Sequence, residues 1–246
     1  MDLNSNYFRN IYNIVYEDEN YLLLLLNDNG TKEFDTNLNK ISYSIAESFC
    51  NGCNAIRGAL MNIEETVLLV KICADLSLKD KMFLCLMDKS LNSNMSDQNN
   101  YTNGLVSFFL GLSLQSKKQF LINIEKEKNN KFNNLIDILS YVDYNIDNLD
   151  NPSYLFMYST KLSYYSKGYA GLLLKYSIKY LKYLGYNSLF AEATSIKSEK
   201  VLCRAGAKVK KSYKFINYPT SSKRYSYLVN KDDRQSHVQF DFKEIL

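Results

Sequence analysis

Residues 154–162, Tyr-Leu-Phe-Met-Tyr-Ser-Thr-Lys-Leu, run directly into residues 163–171, Ser-Tyr-Tyr-Ser-Lys-Gly-Tyr-Ala-Gly, and the reading of this junction decides the fold. The first segment is aromatic and apolar, the composition of a buried strand. The second carries two glycines, Gly168 and Gly171, where helical spacing begins. Leu173, Leu174, Ser177, Ile178, Leu181 and Leu184 recur on one face, and Gly185 supplies the C-terminal stop. A glycine turn between a strand and a helix is a physical device for holding phosphate. The backbone can approach closely, and the free amides of the first helical turn point at the anion with the helix dipole behind them. Lys167 adds a formal positive charge. The turn is neither a Walker loop, which needs Gly-Lys-Ser/Thr, nor a dinucleotide loop, which needs a third glycine. Taken alone, the two glycines read first as packing residues beneath a helix.

The flanking segments extend the pattern. Downstream come a strand at Ser188–Ala193, a polar break at Thr194-Ser195 and a helix at Lys197–Arg204. Ala205-Gly206-Ala207 follows, then two strands, Lys210–Ile216 and Tyr225–Val229. Upstream, Ile11–Tyr16 and Tyr21–Leu26 flank a polar turn and read as a hairpin. Helices are expected at Ile41–Cys50, from Asn62 with Glu65 in the capping-box position, and near Phe132–Val142. Met82–Met87 and Leu105–Leu114 read as buried strands, and Lys89–Gly104 as a Ser/Asn-rich loop. Neither a repeat nor a Pro/Gly linker divides the chain, so residues 1–246 are expected to form a single domain, with its cofactor-binding half, around the glycine turn, at about residues 153–230.

Composition removes whole classes of function. The 246 residues are 46% hydrophobic and 23% charged, which excludes a disordered or fibrous chain. A net charge of +4, from 30 basic and 26 acidic residues interspersed in sequence, is too even for a nucleic-acid footprint. The apolar runs Leu22–Leu26 and Leu105–Leu110 are far shorter than the ~20 residues that span a bilayer. The start of the chain lacks a signal-peptide pattern, and the five cysteines are unpatterned. A cytoplasmic protein without nucleic-acid or membrane partners is therefore expected. The single histidine, His237, excludes a multi-histidine metal centre, and no metal site is expected. His237 itself, beside Asp232, Asp233 and Arg234, reads as a solvated tail residue. Cys50 and Cys53 form a C-x-x-C with no second pair, and read as two ordinary thiols at a helix end. Asp143, Asp147 and Asp150 could attract a cationic amine but read first as a solvated acidic loop.

The order strand, glycine-turn helix, strand, short helix, glycine, strand resembles the Gcn5-related N-acetyltransferase (GNAT) superfamily. Tyr165, Gly168 and Ala170 match its Gln/Arg-x-x-Gly-x-Gly/Ala loop. Ala193-Thr194, Ser198, Lys200 and Gly206 resemble the arylalkylamine N-acetyltransferase branch. The likeness covers residues 153–216 and extends more loosely to Ile45–Phe49 and the helix from Asn62. It implies an α/β fold with a mixed, mostly antiparallel central sheet and helices on both faces. It also implies acetyl-CoA as co-substrate and an amine as acceptor, in a monomer or homodimer.

The resemblance places the co-substrate along Tyr158, Ser159 and Thr160 and against the loop Tyr165, Ser166, Lys167, Gly168, Tyr169 and Ala170. A backbone amide near Tyr158 would polarise the thioester carbonyl. With no easy histidine, catalysis would fall to Glu192 as base and to Thr194 and Ser198 as proton donors to the departing thiolate, with Tyr213 and Tyr218 as further acids. Glu192 reads equally as an outward-facing strand residue. Four positions depart from the family pattern: Tyr165 replaces its Arg or Gln, Ala207 an aromatic, Leu202 a tyrosine and Asn54 a glutamate. Three readings follow: a small-amine acetyltransferase, a protein or peptide N-acetyltransferase, and a non-catalytic acyl-CoA-binding module.

Overall fold

The computed structural model describes residues 11–92, 102–140, 146, 149–217 and 234–245. Among the described residues, eight strands form one sheet: β1 (Tyr12–Glu17), β2 (Tyr21–Leu26), β3 (Phe83–Asp88), β4 (Leu105–Ser113), β5 (Pro152–Thr160), β6 (Ser188–Ala193), β7 (Lys208–Lys214) and β8 (Arg234–Asp241). Their order is β1-β2-β3-β4-β5-β6-β8-β7. Only β5 and β6 run parallel; every other neighbouring pair is antiparallel. This is the mixed, mostly antiparallel sheet expected from the sequence.

Among the described residues, seven helices cover its two faces: α1 (Lys32–Gly52), α2 (Asn54–Gly58), α3 (Ile63–Lys79), α4 (Leu114–Lys126), α5 (Asn130–Ser140), α6 (Tyr169–Tyr183) and α7 (Ile196–Arg204). Apolar residues of α1 to α5, among them Ile45, Val70, Phe120 and Ile138, bury against Phe108, Leu110 and Phe190 on one face. Leu173, Leu174 and Leu181 of α6 and Leu202 of α7 bury against Leu84, Phe109 and Ala191 on the other. Because both faces are covered, β3 is buried at every residue and β4 at all but its last. That is why their sequences are mostly apolar on both faces and not alternating.

The helix starts are chemically marked. Thr31, Asn62, Ser113 and Ser195 each accept a hydrogen bond from a first-turn amide, and Asn62 with Glu65 completes a capping box. Sequence spacing places α1 too late, from Ile41, because its first two turns bury only Phe34 and Asn37 and lack a full apolar stripe. It misses α4 altogether, because that helix buries only Ser116, Phe120 and Ile124. The strand expected at Lys210–Ile216 is Lys208–Lys214, followed by a turn of 3-10 helix. The strand expected at Tyr225–Val229 lies outside the described residues, as do Asp143 and Asp147. Among the described residues no helix is long and apolar enough to cross a membrane, and no cluster of three or more His, Cys, Asp or Glu side chains could hold a metal.

The β4–β5 register slips between Leu110 and Gly111, where β5 fits one extra residue, Phe156, between Leu155 and Met157. Such a bulge bends its strand and increases its twist. Gly111 is needed there: a Cβ would lie 2.8 Å from the Phe109 ring and 3.1 Å from Met82 Sδ. Gly111→Ala is therefore expected to destabilise the fold by ~1–3 kcal/mol, the range of core overpacking, measured by urea unfolding.

Candidate active site

The bulge has a direct consequence for the parallel pair. β5 and β6 stay in register only from Pro152↔Ser188 to Leu155↔Ala191. Beyond that point β5 continues on β4 as far as Thr160, and β6 continues on β8 as far as Ala193. The two strands therefore splay, and from Phe156 onward the edge of β5 has no strand partner on that side among the described residues. A cleft of ≈ 920 Å³ opens in the gap. Its walls are the ends of β5 and β6, the loop before α6, one side of α7 along its length, the end of α1 and all but the last residue of α2, with α5 at one end.

Tyr158, Ser159 and Thr160 form one wall, and Glu192, Thr194 and Ser198 the other. The Tyr158 hydroxyl crosses the gap to donate to the Ser198 carbonyl at 3.1 Å, and burial pushes its phenol well above the ordinary value. Thr160 is tied down on both sides: its hydroxyl meets that of Ser107 at 2.8 Å, and its carbonyl accepts from Ser48 at 2.8 Å. Ser159 Oγ is buried and has no hydrogen-bond partner among the described residues. Thr194 Oγ1 lies 3.2 Å from Cys53 Sγ, which places one thiol of the C-x-x-C on the cleft wall; burial pushes that thiol up. Ser198 lies in the first turn of α7, its amide donating to the Ser195 hydroxyl that caps the helix.

The glycine loop closes one end of the cleft. Ser166 and Gly168 both take left-handed backbone, with φ of +64° and +84°. Gly168 is the N-cap of α6, and no side chain caps that helix, although the α1, α3, α4 and α7 starts are all capped by side chains. The first-turn amides of α6 are thus left for an external acceptor. Tyr165 fills the position of the missing Arg or Gln, and its hydroxyl donates to the Ser48 carbonyl at 3.2 Å, joining the loop to α1. Tyr169 contributes backbone to the loop while its hydroxyl donates to Asp88 Oδ2 at 2.5 Å. Burial alone would raise the Asp88 carboxyl, but hydrogen bonds from Ser90 and Tyr169 outweigh it and hold the group below its ordinary value. Lys167 is not on the cleft wall; its ammonium sits 5.2 Å over the Tyr164 ring. The basic side chains that do line the cleft are Arg57, Lys197, Lys200 and Arg204.

Glu192 does not face outward. Its side chain is 4% exposed, lines the cleft, and leaves Oε2 without a hydrogen-bond partner among the described residues. Behind it stands His237, fully buried in β8 at the register position of Glu192. The expectation of a solvated tail histidine is therefore wrong. The last strand of the sheet enters between β6 and β7, and its polar sequence hides that central position. Neither Leu202, which stands where the family has a tyrosine, nor Tyr213 lines the cleft. Leu202 is completely buried in the α6–α7 core, so its position faces no substrate, and the Tyr213 hydroxyl is spent on the Asn217 carbonyl at 2.5 Å. Asn54, by contrast, lines the cleft and is buried.

The wall formed by α7 is fixed to the sheet by an ion pair. Arg234 of β8 donates to Glu199 through Nε at 2.9 Å and Nη2 at 2.5 Å, and the Ser236 hydroxyl donates to the same carboxylate. Burial alone would raise Glu199, but the hydrogen bonds from Arg234 and Ser236 prevail and lower it. A carboxyl lowered in the folded state stabilises the protein above its unfolded pKa, and that stabilisation is lost as pH falls through the folded value. Wild-type stability is therefore expected to drop below about pH 4.3 in part through Glu199. Glu199→Gln should be ~1–2 kcal/mol less stable at pH 7 and should lose less on acidification, measured by denaturant unfolding across pH. Parallel curves for the two proteins would show that the pair contributes nothing.

No protein-family model matches this chain, and no curated protein is recognisably similar to it in sequence. Solved structures are similar in fold. Mosquito arylalkylamine N-acetyltransferase-like 5b superposes with a TM-score of 0.65 at 9% identity, over 89% of this chain and 98% of that one. Arylalkylamine N-acetyltransferase 2 from Aedes aegypti gives 0.60 at 14% identity, over 85% and 95%. The Drosophila melanogaster polyamine N-acetyltransferase, which forms N-acetylagmatine, gives 0.53 at 10% identity, over 82% and 94%. The splayed sheet, its helices and these superpositions together define the chain as having the Gcn5-related N-acetyltransferase fold.

Proposed function

We propose that this protein is an acetyl-CoA-dependent N-acetyltransferase that passes the acetyl group directly to a small primary amine. The observation that carries the reading is the pairing, in one cleft, of an uncapped helix start with a buried carboxylate across a splayed strand pair. The residues present fit the donor. The amides at the start of α6, with Lys200 and Arg204 on the facing wall, suit its phosphates. The unpaired edge of β5 and the unpartnered hydroxyl of Ser159 suit an amide-bearing chain lying in the gap. When bound, the donor supplies an activated acyl group. The amide of Tyr158 or a neighbour would stabilise the developing oxyanion. Glu192 would take the amine's proton, and the Thr194 and Ser198 hydroxyls would return one to the leaving sulfur.

The far end of the cleft supports a small acceptor over a polypeptide. It is lined by Leu69, Leu135, Leu139 and Phe156, with α5 as one of its walls. The free thiols of the five cysteines suit a reducing compartment, in our reading the cytoplasm. Calorimetry with acetyl-CoA, followed by thiol release over a panel of amines and of peptides, tests the reading. Binding with turnover of small amines is expected. No binding would refute it, turnover of peptides alone would move the acceptor class, and binding without turnover on any acceptor would leave only an acyl-CoA-binding module.

A further inference from the structure

The chain contains one histidine, and the structure sets it directly behind the carboxylate that lines the cleft. His237 Nδ1 and Glu192 Oε1 lie 3.6 Å apart, with the two side chains 0% and 4% exposed. The imidazole is stacked on Phe190, 5.7 Å between ring centres at 22°, and the Lys117 ammonium sits 4.9 Å over that same Phe190 ring. Two residues along β8, Gln235 donates to the Leu139 carbonyl at 3.0 Å and anchors the strand beneath the end of α5. Burying either a carboxylate or an imidazolium alone is strongly unfavourable, whereas side by side they hold charge or a proton between them.

We propose that Glu192 and His237 work as one proton-accepting pair, with Glu192 meeting the acceptor amine and His237 as its positioning residue. The proposal rests on the acetyl-transfer reading above and names the element that makes a buried glutamate an effective base. Of the three protons on an incoming ammonium, one passes to Glu192, one stays on the amide nitrogen and one ends on the leaving sulfur. The new N–C bond forms as the C–S bond breaks, and the departing electron pair takes up that last proton. The imidazole, 3.6 Å behind the carboxylate, is placed to take up the proton that Glu192 accepts. His237 touches no substrate; it stands behind the Glu192 carboxylate and positions it. Among the described residues, the charged groups around it are Glu192 on β6, Lys211 at the paired position on β7, and Lys117 on α4 above Phe190.

The single histidine makes the test direct. Its imidazole signals in an NMR pH titration of the full chain need no assignment. Comparing wild type with Glu192→Gln, the midpoint is expected to fall by about one unit or more once the carboxylate is neutralised. An unchanged midpoint, or an imidazole that titrates in neither protein, would overturn the pair. In parallel, His237→Gln is expected to lower kcat by about tenfold or more with an unchanged KM for acetyl-CoA, and to move the rising limb of its pH profile. A wild-type pH profile in that variant would also overturn it. Should His237→Gln fail to fold by circular dichroism, His237→Asn replaces it, and the NMR comparison stands by itself. If no amine or peptide is acetylated by wild type, the acetyl-transfer reading fails, while the titration still decides whether the two groups are coupled.

Discussion

Glu192→Gln is expected to lower kcat for amine acetylation by about 10²–10³-fold while leaving acetyl-CoA binding unchanged, the usual scale of a lost general base. Glutamine keeps the shape and buried volume of the side chain but cannot take a proton, so the core around Phe190 and His237 has no reason to rearrange. Glu192 Oε2 has no hydrogen-bond partner among the described residues, and the neutral amide therefore breaks no hydrogen bond there. Thiol release measured against pH separates the outcomes. A large loss of kcat with unchanged donor affinity places the base at Glu192. Wild-type turnover would instead assign proton removal to water held by Thr194 and Ser198.

Gly168→Val is expected to weaken acetyl-CoA binding at least about 100-fold, which is ~2.7 kcal/mol. A Cβ at Gly168 meets nothing within 4 Å in the folded chain, so the substitution causes no internal clash. It does stand at the uncapped start of α6, where a bound phosphate would have to approach the amides. Because φ there is +84°, a branched side chain also strains the backbone by ~1–2 kcal/mol, and the melting temperature should fall by several degrees. Gly171 provides the control. It lies within α6 with ordinary backbone and open space around a Cβ, so Gly171→Ala should not lower the melting temperature and should raise it slightly, leaving any loss of affinity to report on the cleft. If Gly168→Val lowered the melting temperature without touching affinity, the glycine would be structural and the loop would hold no anion.

Much of the fold is legible in local patterns because the physics behind them is local. The capping box at Asn62, the β1–β2 hairpin, the apolar runs of β3 and β4, and the glycine start of α6 each follow from residues within a few positions of one another. The elements missed were those whose stabilisation comes from elsewhere. α4 buries too few residues to show a stripe, and the first half of α1 is held by its Thr31 cap more than by apolar spacing. β8 reads Arg-Gln-Ser-His-Val-Gln-Phe-Asp, polar enough to pass for a tail. It is an interior strand, next to the edge strand β7, because Gln235, Ser236 and His237 each find buried surroundings on other elements: the Leu139 carbonyl, the Glu199 carboxylate and the Glu192 side chain.

The single histidine shows the same division. Its uniqueness, and hence the exclusion of a multi-histidine centre, is a property of composition and needed no structure. So did the glycine loop, Glu192 at a strand end, and the hydroxyls of Thr194 and Ser198 beyond it, because strand and helix periodicities place them locally. Only the tertiary structure decided that β5 and β6 part after Leu155 and Ala191, that the Lys167 ammonium sits over the Tyr164 ring, and that His237 stands behind Glu192. Each of those facts depends on strand pairing between segments far apart in the chain. Register between distant strands is set by the packing of whole faces, which no local pattern encodes.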